Sequence, residues 1–174
     1  TQFSPTFPPQ WPDVSYGLPA DGLTNSFLAT PTPGLPNSVG TNFTVNVVIS
    51  EFVAKNTIGP VDDFGAHSDW IEIYNGGCCP VNLNGWSLTD DAAALTKWRF
   101  PATNIGPGQF MVVWASDRNR RTPGAPLHTN FKMADEGEYL ALVLPDGVTI
   151  ATQFAPTFPP QLPDVSYGLA SGGT

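Results

Sequence analysis

The sequence is poor in cysteine, in charge, and in basic residues above all. It has two cysteines, and they are neighbours, Cys78 and Cys79. A framework of disulfides is therefore excluded as the source of stability. Adjacent cysteines cannot bridge without distorting the peptide between them. Three states stay open for the pair: quiet thiols, a bridge to another chain, or a strained vicinal disulfide. A structural zinc site would need further ligands close by, and none is seen. Charged residues make up 13% of the 174, where an average soluble domain has about 25%. Seven are Lys or Arg and fifteen are Asp or Glu, a net charge of −8. Nucleic-acid binding needs a basic stripe, and attachment to anionic lipid needs basic clusters, so neither is expected. The one basic cluster, Arg118, Arg120 and Arg121, lies in SDRNRRTPG and reads as a solvated loop. No apolar run approaches about 18 residues, so no helical membrane insertion is expected. No secretory leader is visible, and any that existed is expected to have been removed.

What is abundant points to strands. Nineteen prolines and seventeen glycines break the chain into short runs. These runs are β-branched or aromatic and bounded by turn residues. Strands are predicted at VNVVISEFVA (45–54), DWIEIYN (69–75), PVNL (80–83), GWSLTD (85–90), TKWRF (96–100), QFMVVWAS (109–116), EYLALVL (138–144) and VTIATQF (148–154). Asn75-Gly76-Gly77, Asn84-Gly85 and Pro145-Asp146-Gly147 supply turns, and NIGPGQ supplies another. Alternation puts Ile71, Ile73 and Asn75 on one face of their strand and Trp70, Glu72 and Tyr74 on the other. The isoleucine face is the expected core. In QFMVVWAS both faces are apolar, which predicts a central strand covered on both sides. EYLALVL reads the same way. The class is all-β: seven or eight short strands with turns between them predict a two-sheet sandwich or a small barrel. It fills residues 45–174. Residues 1–44 form an extended arm, where TPTPGLP favours polyproline II.

The strand segments also carry a resemblance. VVISEFVA, DWIEIYNGGCCPVNLNGWSLTDD, TKWRFP, GPGQFMVVWASD, LHTNFKMADEGEYLALVLPDG and PDVSYG follow one another over about residues 45–169. Together they resemble the lamin-tail domain in its bacterial secreted form. The resemblance implies an immunoglobulin-like sandwich with no shared catalytic residues. It also implies a binding or scaffolding module of exported or surface proteins, placing the chain outside the cell or on its surface. Such bacterial domains often close with a PDVSYG-like segment, a spacer and a TPTPG-like element. Here that closing run stands near the N-terminus, from Pro12 to Asn37.

Candidate chemistry is thin. His67 and His128 are the only histidines, and neither stands beside a recognisable nucleophile motif. No Ser or Cys triad is expected, nor any enzymatic activity or cofactor. Asp62, Asp63 and Asp69 crowd VDDFGAHSDW. Calcium takes six to eight oxygen ligands from such loops, but the alternating spacing of an EF-hand is missing. Turn-forming carboxylates are the other reading, and no metal is assigned. Trp70, Trp86, Trp98 and Trp114 read first as core. A Trp70/Tyr74 patch is the alternative, facing carbohydrate or another surface protein. Asn42-Phe43-Thr44 is a weak glycosylation signal.

The most specific feature is a duplication. TQFSPTFPPQWPDVSYGL begins at Thr1 and TQFAPTFPPQLPDVSYGL at Thr152. Sixteen of eighteen positions agree at an offset of 151. The later copy is expected to supply the last strand and a strap beyond it. The earlier copy could then occupy a related groove on a neighbouring molecule, or be the remnant of a preceding tandem repeat. Either way the chain is expected to be a non-catalytic extracellular module of a fibre, sheath or surface layer, associating head to tail. A binding module of a larger exported protein is the alternative. Interface candidates are Thr1, Phe3, Phe7, Trp11, Val14, Tyr16 and Phe27. If the earlier copy docks elsewhere, Trp11 is the expected anchor, since a buried Trp often dominates an interface.

Overall fold

The computed structural model of the chain describes residues 15–17, 26–28 (backbone only), 33–34, 46–77 and 79–169. The chain divides into two compact units, Thr1–Thr44 and Val45–Thr174. In the first unit, β1 (Ser15–Gly17) pairs antiparallel with β2 (Ser26–Leu28), Tyr16 opposite Phe27. Thr1, Phe3, Phe7, Trp11 and Val14 lie outside the described residues.

The second unit is a two-sheet sandwich. Its strands are β3 (Val47–Val53), β4 (Asp69–Asn75), β5 (Val81–Asn82), β6 (Ser87–Thr89), β7 (Trp98–Arg99), β8 (Asn104–Ile105), β9 (Phe110–Ala115), β10 (Leu127–His128), β11 (Leu140–Val143), β12 (Ile150–Phe154) and β13 (Tyr167–Gly168). One sheet runs β10-β9-β4-β3-β13 and the other β12-β11-β6-β7. β5 and β8 form a separate two-stranded ribbon. Nine strands in the two main sheets, with no helix among the described residues, is the immunoglobulin-like class that the sequence implies.

Period-two alternation builds the core. Val47, Ile49 and Phe52 of β3 (a bulge after Ile49 resets the alternation), Ile71 and Ile73 of β4, and Val113 and Ala115 of β9 are buried. They meet Leu88, Trp98, Leu140 and Leu142 from the facing sheet. β-Branched and aromatic side chains suit such a pleated, covered surface. Asn75 shares the isoleucine face and is also fully buried, its amide bonded to the backbone around it. The outer face of the second sheet is covered too: Ala141 and Val143 pack with Tyr139 and Leu95. β11 is therefore buried on both faces, as EYLALVL implies.

β9 departs from expectation. It is central in its sheet, but it is not covered on both sides. Phe110 is 60% exposed and Val112 42%, because among the described residues no layer lies over that face. Three short elements of the sandwich also escaped the sequence reading, as did β1 and β2. β8 sits where a turn is predicted, and β10 and β13 have two residues each. Two-residue pairings are too brief to leave a pattern.

Candidate functional site

After β12 the chain leaves one sheet and reaches the other. Residues 155–166 run as a strap across the side of the sandwich, and β13 then pairs with β3, Tyr167 opposite Phe52. Prolines favour such an extended path and cannot feed a regular ladder. Phe158 holds the strap's middle. It is 1% exposed, and its ring lies 4.8 Å from that of Phe52. Phe154 and Tyr167 meet the same Phe52 ring at 5.0 and 5.8 Å, both edge-on. Thus three aromatics of the duplicated segment close around one residue of β3.

Backbone contacts complete the seat. Phe158 donates its N–H to the Glu138 carbonyl, Gln161 to Asp135, Asp164 to Lys55 and Leu169 to Ser50. Lys55 and Asp135 are themselves an ion pair at 2.5 Å. Two glycines let the backbones come this close. A Cβ on Gly137, which has φ 105°, would stand 2.3 Å from the Phe158 carbonyl oxygen. One on Gly168 would stand 2.2 Å from the Ser50 oxygen.

Asp164 pins the strap's far end. Its Oδ1 accepts N–H bonds from Thr57, Ile58 and Gly59 at 2.7, 2.9 and 3.2 Å, and its Oδ2 accepts the Thr57 hydroxyl. That hydroxyl, helped by the N–H groups, pulls the carboxyl down from its ordinary 3.8 to about 2. A depressed acid stabilises fully above its unfolded value and loses that contribution as pH falls through the folded one. The hydrogen-exchange protection factors of Tyr167 and Leu169, taken against intrinsic rates at each pH, should therefore fall between pH 4 and 2, ahead of those in β4. Asp164→Ala should remove that step, and a pH-independent profile in the unaltered chain would contradict it.

The uncovered face of the first sheet carries a second surface. Register pairs Trp70 with Trp114, Glu72 with Val112 and Tyr74 with Phe110 across β4 and β9. Tyr74 and Phe110 stack at 4.5 Å. Beside them Pro60, Trp70, Glu72, Val112 and Trp114 line a groove of about 240 Å³. Glu72 accepts a hydrogen bond from Ser50 Oγ at 2.7 Å. Trp86 and Trp98 are core, as expected, whereas Trp70 and Trp114 are half-buried on this open face. Trp70 and Tyr74 share this face, with Trp114 and Phe110 of β9 beside them.

The acidic loop meets the basic one. Asp63 takes a hydrogen bond from Arg120 at 2.6 Å, and Asp62 lies 3.9 Å from Arg118. Both guanidinium groups lie over the Phe64 ring, at 4.2 and 5.0 Å. Burial raises the Asp62 carboxyl, but bonds from Ala66 N–H, the Ser68 hydroxyl and Phe64 N–H outweigh it and the net shift is downward. Asp69 stands apart, accepting the Asn56 N–H at 3.2 Å, and burial pushes its carboxyl up. The three calcium candidates are thus occupied by protein donors. Among the described residues no cluster of three His, Cys, Asp or Glu forms a metal site. Cys78 lies outside the described residues. Cys79 is half-buried, and its carbonyl accepts from Asn75.

Sequence reasoning missed one constellation. Ser116 Oγ lies 2.7 Å from His128 Nδ1, and Asp63 Oδ1 lies 2.9 Å from His128 Nε2. Asp63 stands 65 residues from His128 in sequence, so no local signal links them. In a hydrolytic triad the carboxylate holds Nδ1 and the nucleophile meets Nε2, the reverse of this order. The His128 ring is fully buried under Phe64. The nearby Asp117 and Asn119 N–H groups are bonded to Phe131 and Thr129. The arrangement latches the acidic loop onto β9 and β10.

An all-β sandwich of immunoglobulin-like build, closed by a strap, defines the class. The Lamin Tail Domain family model matches residues 41–155, so the chain belongs to the lamin tail domain family. No curated protein matches it.

Proposed function

We propose that the chain is a non-catalytic structural module of an extracellular or cell-surface assembly, working in a series of copies linked through its duplicated segment. The observation that supports this most is what the segment does where its contacts are visible. It closes the sandwich, with Phe158 in the core and β13 at the sheet edge. A segment that closes one sandwich, carried twice, serves two. Low charge, with polarity supplied by Thr, Ser and Asn, suits an exported surface. Electron microscopy and intact mass of native material test the reading. Fibres, sheets, or a longer chain of 151-residue period support it. A lone monodisperse particle of 18.6 kDa overturns it.

Absence of catalysis belongs to the same proposal. A fluorophosphonate probe should leave Ser116 unlabelled, and stoichiometric labelling would contradict the latch.

The aromatic groove favours a second role, recognition of carbohydrate or of another surface protein. Trp faces stack on sugar rings, and two of them line the groove. For a glycan found to bind on an array, Trp114→Ala should weaken binding about tenfold, one stacking contact of about 1.4 kcal/mol. Unchanged affinity would move the site elsewhere.

A further inference from the structure

We infer that the strap seat is an exchange site: it accepts Thr1–Leu18 of a neighbouring copy in place of its own 152–169. The inference rests on the serial reading above and names the contact within it.

Every side chain that holds the strap recurs at the offset of 151. Phe154 and Phe158 have their counterparts in Phe3 and Phe7, Asp164 in Asp13, and Tyr167-Gly168 in Tyr16-Gly17. The remaining contacts are backbone N–H groups, which any residue but proline supplies. Only two positions differ, Ser4 for Ala155 and Trp11 for Leu162. Both Ala155 and Leu162 are exposed on the seated strap, Leu162 to 67%. Neither change meets the seat. The earlier copy therefore carries the same aromatic, carboxylate and close-approach groups as the later one, and exchange sets β1, which pairs with β2 in its own unit, against β3 where β13 lies.

This revises which residue anchors the contact. In the seat, position 11 corresponds to the largely exposed Leu162, which leaves the seat little to grip on Trp11. Phe7, through the pocket of Phe158, is the anchor.

Competition sets when exchange occurs. A strap tethered to its own domain acts at an effective concentration of about millimolar. At micromolar chain the resident strap holds its seat. Exchange takes over when copies are crowded or the resident strap is weakened. Arm of one copy into seat of the next is a heterologous contact, and it propagates as an open chain.

The test uses the full chain and light scattering at micromolar concentration. Asp164→Ala with Gly168→Ala loosens the resident strap and leaves the sandwich core untouched. Phe158→Ala is a second way to open the seat. At least one opened chain should rise from 18.6 kDa to a concentration-dependent ladder of multiples. Adding Phe7→Ala to that chain should return it to monomer, while adding Trp11→Ala should not. Opened chains that all stay monomeric overturn the inference, as does a ladder that survives Phe7→Ala. Native fibres beside a failed exchange would keep the serial reading and make its link covalent.

Discussion

Phe158→Ala is expected to cost about 3–5 kcal/mol of stability, the range for truncating a buried aromatic. The residue lies in a proline-rich strap outside the span matched by the family, where a large effect would not be sought. Yet its ring is 1% exposed and packs on Phe52, itself fully buried near the end of β3. Removing it leaves a ring-sized void between the sheets, and close-packed walls collapse into such a void only in part. It also unfastens the strap's middle, so β13 would hang on Asp164 and its short pairing with β3. The comparison that isolates the cause is Leu162→Ala, four residues further on and 67% exposed. That change should stay within about 0.5 kcal/mol, as surface substitutions do. Urea unfolding of the two variants measures both values. Equal effects would show that the strap contributes as a surface covering and not through its inserted ring.

Much of this fold was legible because strands announce their faces. DWIEIYN was readable residue by residue, since a sheet with one buried side imposes strict alternation. The same rule failed at QFMVVWAS. Alternation tells which residues share a face, but an apolar face looks alike whether another layer covers it or not. Phe110 and Val112 are exposed because, among the described residues, no layer packs over that face of β9, and no residue within β9 records that. The apolar character that suggested burial is what makes the groove a candidate surface. The strap was legible for a different reason: it is written twice. Its seat was not, because Glu138, Lys55 and residues 57–59 contribute mainly backbone groups and come together only in the folded chain. The Ser116–His128–Asp63 latch was hidden the same way. Ser116 read as the end of a strand and Asp63 as an acidic-loop carboxylate, and burial of His128 against Phe64 is a tertiary fact.

Asn75→Ala should be the most costly change to a polar residue, about 3 kcal/mol, although it removes only an amide. Alternation places Asn75 at the end of the isoleucine face of β4, and it is fully buried. Its Nδ2 donates to the carbonyls of Cys79 and Ile105, at 2.8 and 3.0 Å, and its Oδ1 accepts the Gly77 N–H at 3.0 Å. One side chain thus ties the turn after β4 to the ribbon of β5 and β8. Truncation would leave those groups without their partner, and an unsatisfied buried polar group costs about 1–3 kcal/mol. Leucine tests whether volume or hydrogen bonding matters. It refills the space but satisfies no carbonyl, so Asn75→Leu should recover little of the loss. Asn82→Ala is the control, since Asn82 is exposed and its side chain accepts one local bond from Asn84; it should cost well under about 1 kcal/mol. Denaturant midpoints for the three variants decide the matter. Recovery by leucine would mean that the turn is held by packing, and that the buried amide is incidental to it.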